Sequence, residues 1–152
     1  MPKKVRPIPK GYHTVTPSLI QADSRQTIEF CKKAFGAKLL MKLEAPDGKI
    51  AHAEIQVGDS ILMLNDPMGD VGPQPASLYL YVEDADKTFA KAVKAGGAVV
   101  MQPQDMFWGD RFGSVTDPAG NRWSIASRRE EVAPREMKKR AAAMFKGAAA
   151  AG

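Results

Sequence analysis

Residues 107–127 read FWGDRFGSVTDPAGNRWSIAS, and the turn at their centre decides how the rest of the chain is read. In Asp117-Pro118-Ala119-Gly120 the proline presets φ for the second turn position and the glycine leaves the last unrestricted, so the chain reverses there. A short strand, 113–116, enters the turn, and a second, 121–126, runs back. The product is a β-hairpin with aromatic groups near its ends, led in by the polar aromatic turn Trp108-Gly109-Asp110. Such a hairpin can floor a pocket without naming a chemistry.

Moving outward, residues 98–102 read as a strand and Gly96-Gly97 as the end of a helix. Asp84 or Asp86 caps that helix, Phe89, Ala92 and Val93 form its apolar face, and 77–82 alternates as the strand before it. Residues 67–75 hold three prolines and two glycines and make a linker. Ahead of the linker the same order occurs once already. Residues 13–20 alternate as a strand with Thr14, Thr16 and Ser18 on one face. Asp23 or Ser24 then caps a helix whose stripe is Ile28, Cys31, Lys32 and Phe35, and Gly36 stops it. Strands 38–44, 49–57 and 60–64 follow, turning at Pro46-Asp47-Gly48 and Gly58-Asp59 and ending at Asn65-Asp66-Pro67.

Sliding the chain on itself by 61 residues aligns Asp23 with Asp84, Thr27 with Thr88, Ile28 with Phe89, Gly36 with Gly97 and Ala37 with Ala98. The same offset pairs Thr16 with Ser77 and Met63 with Ser124. The expected fold is therefore α+β: two βαβββ modules, 11–66 and 76–127, whose sheets pair into a cleft. An extended arm, 1–10, precedes them, because Pro2, Pro7 and Pro9 exclude a helix. A basic segment, 128–152, follows, with a helix-prone run at 135–144, amphipathic around Met137, Ala141 and Met144, and an Ala/Gly end expected to be disordered.

The formal charge of +5 raises nucleic acid as a partner until it is divided. Residues 1–10 hold four basic and no acidic side chains, and 128–152 hold seven basic against three acidic, so the ends carry +8 and the body, 11–127, carries −3. With no aromatic or glycine interleaving, the ends read as solvated tails rather than phosphate-binding arms. No apolar run approaches the length of a membrane span, and no apolar segment follows the basic start, so a cytoplasmic protein without membrane partners is expected. The single cysteine, Cys31, excludes an internal disulfide and a cysteine-based zinc site, and its place on the helix stripe makes it inert core.

The sequence resembles the vicinal oxygen chelate superfamily, which includes glyoxalase I, extradiol dioxygenases and bleomycin-resistance proteins, and within it the glyoxalase-like proteins related to PhnB. The resemblance rests on Gly11-Tyr12-His13-Thr14-Val15-Thr16-Pro17, Ile28-Glu29-Phe30 with Ala34-Phe35-Gly36-Ala37, and His52-Ala53-Glu54-Ile55 with Gly58-Asp59-Ser60. Val82-Glu83-Asp84, Gly109-Asp110-Arg111 and Asp117-Pro118-Ala119-Gly120-Asn121-Arg122-Trp123 complete it. It implies the paired-module fold and a homodimer, but it is unspecific for reaction. The family's metal-ligand positions, carried over, fall on Thr16, Met63, Ser77 and Ser124. Three alcohols and a thioether are weak, uncharged donors, where a divalent transition ion needs imidazole, carboxylate or thiolate, so no metal and no cofactor are expected.

His52 and Glu54, two apart on one strand, share a face and are the catalytic candidates. They read as a hydrogen-bonded pair, with a metal pair as the alternative. His13 falls one residue off the Thr14, Thr16, Ser18 face and is expected to point away. Asp110 and Arg111 are expected to pair with each other unless one contacts a polar ligand. Most aromatic residues belong to the core, while Trp108 and Phe112, beside Gly109 and Gly113, are placed to cover a ligand. Two functions follow. The first is a metal-free small-molecule binding protein that uses Thr16, Met63, Ser77, Tyr79, Trp108, Asp110, Phe112 and Ser124 for an apolar or planar compound. The second is a metal-dependent lyase or dioxygenase with an unusual ligand set from His13, His52 and Glu54. Metal-free acid/base catalysis by His52 and Glu54 remains a third.

Overall fold

The structure, a computed structural model, describes residues 1–151. Among the described residues eight strands and three helices follow one another as β1 (Ser18–Ile20), α1 (Ser24–Phe35), β2 (Lys38–Glu44), β3 (Ile50–Val57) and β4 (Ser60–Asn65), then β5 (Ser77–Tyr81), α2 (Ala85–Lys94), β6 (Ala98–Asp105), β7 (Asp110–Thr116) and β8 (Arg122–Arg128), closing with α3 (Pro134–Ala151). The strands form two four-stranded sheets of the same order, β1-β4-β3-β2 and β5-β8-β7-β6, in each of which only the first pairing is parallel. This is the βαβββ order twice. The register repeats as well: β1 sets Ser18 against Met63, and β5 sets Tyr79 against Ser124, each partner displaced by the expected 61 residues.

Local chemistry explains the repeated helices. Asp23 accepts from the Gln26 N–H at 3.2 Å and Asp84 from the Lys87 N–H at 3.1 Å, each neutralising a donor that the first helical turn leaves unpaired. Asp84, not Asp86, is thus the cap of α2. Gly36 ends α1 in the left-handed region at φ 67°, and its N–H and that of Ala37 close on the carbonyls of Lys32 and Cys31. On α1 the buried face is Ser24, Thr27, Ile28, Phe30, Cys31 and Ala34. Lys32, expected on the stripe, is exposed, because the true face is centred one position earlier. On α2, Phe89 and Ala92 are buried, but Val93 is 38% exposed.

One core joins the modules. Trp123 of β8 is fully buried against Phe35, with centroids 5.0 Å apart, and Phe30, at 6.3 Å, so a module-two strand packs on the module-one helix. A reciprocal amide pair between Gln21 and Asn121 crosses the same boundary, both residues almost wholly buried. Asn121 and the Trp123 indole also donate to Asp117 Oδ2, both at 2.8 Å, and Thr27 donates to Gln21 Oε1 at 2.9 Å. The turn carrying Asp117 takes the expected form: its Oδ1 accepts from the Ala119 and Asn121 N–H groups, and Gly120 N–H returns to its carbonyl at 3.0 Å.

The first strand is shorter than expected. Residues 11–17 make no strand, because Pro17 has no N–H to give a ladder; pairing begins where the Met63 N–H meets the Pro17 carbonyl at 2.9 Å. The linker 67–75 returns beside β1 through Gln74 N–H to Ile20 carbonyl, 2.8 Å. Helix α3 runs well beyond the 135–144 run expected, up to Ala151, and Gly152 lies outside the described residues. Along it Met137 and Ala141 are half-buried, whereas Met144 is 50% exposed. Among the described residues no helix is long and apolar enough to cross a membrane.

Candidate functional site

Alternation assigns each sheet an inner and an outer face. Leu62, Leu64, Ala53 and Ile55 of the first sheet, and Val115, Trp123 and Ile125 of the second, enter the core with the helices. The residues between them therefore face the other way. On the first sheet these are His52, Glu54 and Met63, with Met63 opposite Glu54 in the ladder. On the second they are Tyr79, Tyr81, Phe112, Ser114 and Ser124, joined by the registers Tyr79–Ser124–Ser114 and Tyr81–Ala126–Phe112.

On the second sheet the aromatic residues converge on one carboxylate. Asp110, only 3% exposed, accepts at Oδ2 from the Tyr79 hydroxyl at 2.6 Å, the Tyr81 hydroxyl at 3.0 Å and the Trp108 indole N–H at 3.0 Å. Burial first, and then the hydrogen bond to Asp110, push both phenols above the ordinary tyrosine range, so they remain donors at neutral pH. The rings they hold form a continuous wall. Tyr79 lies 5.3 Å from Tyr81 and 5.5 Å from Phe112, and Phe112 lies 5.9 Å from Trp108. Tyr79 and Tyr81 are 45% and 66% exposed, which leaves aromatic surface in solvent that three hydrogen bonds keep in place.

The expected Asp110–Arg111 pair does not form. Neighbours on a strand point to opposite faces, and Arg111 reaches instead to Asp86 of α2 at 3.0 Å and Asp105 at 3.6 Å. Gly109 and Gly113 are both required by close packing. A Cβ on Gly113 would press on Phe89 and Pro103, and one on Gly109, which sits at φ 101°, would strike the Glu130 carbonyl oxygen.

A cleft of about 950 Å³ opens between the modules, lined by Phe35, Val57–Ser60 and Leu62 on one side and Leu78–Glu83, Thr88 and Lys91 on the other. Tyr79, Tyr81 and Trp123 reach its margin, but Phe112 and Trp108, which continue the aromatic cluster on the opposite face of the second sheet, do not line it. Pro17 and Leu78 line the cleft, but Thr16 and Ser77, each one residue earlier, do not. Thr16 and Met63 share a second cavity of about 480 Å³, roofed by Pro7, Ile8 and Pro9 of the arm and holding Tyr12, His13 and Glu54. His13 faces that cavity rather than away, because the strand alternation used to place it does not extend to residue 13. Ser77 is exposed and Ser124 is buried, both on the second sheet, and the cavity that holds Thr16 and Met63 contains neither.

Glu54 lines that second cavity and His52 does not, but His52 Nε2 lies 3.2 Å from Glu54 Oε1. The Tyr12 phenol first, and His52 after it, hold the Glu54 carboxyl below its usual range. Burial and the same carboxylate raise Tyr12 to about 12. Tyr12 and Tyr81 are the residues that sequence reasoning undervalued. Tyr81 was legible, being two residues from Tyr79 on one strand and so on the same face. Tyr12 was not, since it precedes any regular element.

A vicinal oxygen chelate site would need charged or imidazole donors at Thr16, Met63, Ser77 and Ser124. Thr16 just ahead of β1, Met63 on the first sheet, and Ser77 and Ser124 on the second are all neutral and do not fit a divalent ion. Among the described residues no three histidine, cysteine or acidic side chains come together as a metal site, the trio His13, His52 and Glu54 included. Cys31 is fully buried, and burial pushes its thiol well above the normal range.

The family model of the Glyoxalase/Bleomycin resistance protein/Dioxygenase superfamily matches residues 12–125. The chain belongs to this superfamily. An uncharacterized protein of Mycobacterium bovis is 36% identical to it over 129 residues, covering 78% of this chain and 85% of that protein. TioX from Micromonospora superposes with a TM-score of 0.65 at 25% identity, over 76% of this chain and 98% of its own. A PhnB protein from Bacillus cereus superposes at 0.62 with 20% identity, over 76% and 99%, which speaks for the fold. The superfamily domain is thus spanned by the paired modules, and α3 lies beyond the matched residues.

Proposed function

We propose that this glyoxalase-like chain binds a small planar, largely apolar molecule on the open face of its second sheet, without a metal ion or other cofactor, stacked on the wall of Tyr79, Tyr81, Phe112 and Trp108. The observation carrying this reading is the anchoring of three of those rings on one buried carboxylate, Asp110. Rings fixed before binding lose little freedom on contact, and stacking adds about 0.5–1.5 kcal/mol per pair beyond buried area. The neutral side chains at the superfamily's metal positions support binding over metal-assisted chemistry.

The same reading includes a homodimer. Strand β2 is exposed along its whole length and presents Leu39, Leu40, Met41 and Leu43 at the edge of the first sheet. An apolar edge strand left open invites pairing with other chains, and a second copy of this one would cover it.

Calorimetric titration with three planar tricyclic probes, the cation proflavine, neutral phenazine and anthracene-2-carboxylate, tests the binding claim. At least one should bind once per chain, and Trp108→Ala should weaken it about tenfold, which corresponds to ~1.4 kcal/mol. Absence of heat with all three, or equal affinity in the variant, contradicts the reading.

A further inference from the structure

The superfamily match ends at residue 125, yet the chain continues into a strap, residues 128–133, and helix α3. Both meet the Trp108 loop. The loop is a tight turn closed by Gly109 N–H to the Met106 carbonyl at 3.0 Å and Met106 N–H to the Asp110 carbonyl at 2.8 Å. The strap grips it from one side. Gly109 carbonyl accepts from the Arg129 and Glu130 N–H groups at 2.9 and 3.1 Å, and Val132, buried, stands against Gly109 itself.

Arg140 of α3 grips it from the other. Its Nη1 donates to the Phe107 carbonyl at 3.2 Å, while Nη1 and Nη2 take both oxygens of Glu130 at 3.0 and 2.7 Å, and Nε reaches Glu136 at 3.2 Å. One planar guanidinium therefore ties the helix, the strap and the peptide next to Trp108. An isolated exposed ion pair contributes little to global stability, but a bidentate fork with a third donor bond acts on the local opening of the loop it touches. Phe107 stacks edge-on against Trp108 with centroids 5.1 Å apart, so the backbone held by Arg140 also fixes the indole.

We propose that the C-terminal helix is a positioning element for the binding site, and that Arg140 is the positioning residue, holding the Met106–Gly109 turn so that Trp108 completes the aromatic wall. This rests on the ligand reading above for its purpose, though not for its mechanics. Removing the clamp frees the turn while leaving Tyr79 and Tyr81 in place, because their hydroxyls reach Asp110 from β5.

Hydrogen-exchange mass spectrometry of the full chain, with the probes above, tests it using Arg140→Ala, the reversed pair Glu130→Arg with Arg140→Glu, and Lys139→Ala as control. Arg140→Ala should speed exchange across residues 106–109 about fivefold or more, with no change in the core strands, and weaken probe binding severalfold. The reversed pair should recover part of the exchange protection, and Lys139→Ala should match the parent. Unchanged exchange in Arg140→Ala overturns the proposal, as does faster exchange with undiminished probe affinity. If no probe binds the parent while Arg140→Ala still frees the turn, the ligand reading fails and the clamp stands.

Discussion

Asp110 shows how much of the site a single residue organises: one carboxylate oxygen fixes two phenols and an indole drawn from a loop and from β5. Asp110→Asn keeps the shape but replaces the charged acceptor with a neutral one, and hydrogen bonds to charged groups contribute more, about 1.5–3 kcal/mol. The variant should remain folded and ease the part of the upward shift of Tyr79 and Tyr81 that Asp110 supplies, so ultraviolet titration should show tyrosines ionising at somewhat lower pH than in the parent. An unchanged tyrosine titration would mean that burial alone raises them. Gly109→Ala should be harsher. The added methyl meets the Glu130 carbonyl, a backbone atom that cannot swing aside, at a φ that L-residues rarely adopt. A loss of ~1–3 kcal/mol in urea unfolding is expected. At this scale the sequence was legible where residue type and alternation agree, as with Tyr79 and Phe112, or His52 and Glu54. It misled where adjacency was taken for contact, at Asp110 and Arg111, whose strand sends them to opposite faces.

Elements were legible because their punctuation is chemical. Aspartates at 23 and 84 and glycine at 36 mark ends that a backbone must satisfy, and the Asp117 turn is closed by its own side chain. Strand β1 was overextended for a related reason: alternating residues describe a strand only where a ladder partner exists, and β1 meets β4 over three residues. One further joint was not apparent from the sequence. Asp66 accepts from the Ser24 N–H at 2.8 Å through Oδ1 and from the Ile50 N–H at 2.7 Å through Oδ2, tying the end of β4 to the starts of α1 and β3. Burial pushes this carboxyl up, but the two backbone donors outweigh it and leave it below the ordinary range. A folded value below the unfolded one, about 3.9, means that the stabilisation is full above that pH and is lost as pH falls through the folded value. Asp66→Asn should therefore cost ~1–3 kcal/mol at neutral pH, with the gap to the parent closing as urea unfolding is followed below about pH 4. A gap independent of pH would show that the carboxylate charge is not what joins these elements.

At the scale of the whole molecule, the repeat of 61 residues was the most informative signal, because it reproduces strand register as well as helix ends. What it could not show is how the modules join. That depends on Gln21, Asn121 and Trp123, whose partners lie about a hundred residues away in the case of the amide pair. The proposed dimer rests on surface chemistry. With β2 open and apolar, light scattering at ~50 µM should give twice the chain mass, and Leu43→Lys should return the monomer with its fold intact. A parent that is already monomeric removes the dimer from the account. The central claim, that a planar ligand stacks on the Asp110-anchored wall, is met most directly by the two indole N–H resonances, one for each tryptophan in the chain. In a proton–nitrogen spectrum titrated with whichever tricyclic probe binds, the Trp108 signal should move by ring-current shielding while that of Trp123, fully buried and bonded to Asp117, stays fixed. Saturable binding that leaves Trp108 unmoved would contradict the account.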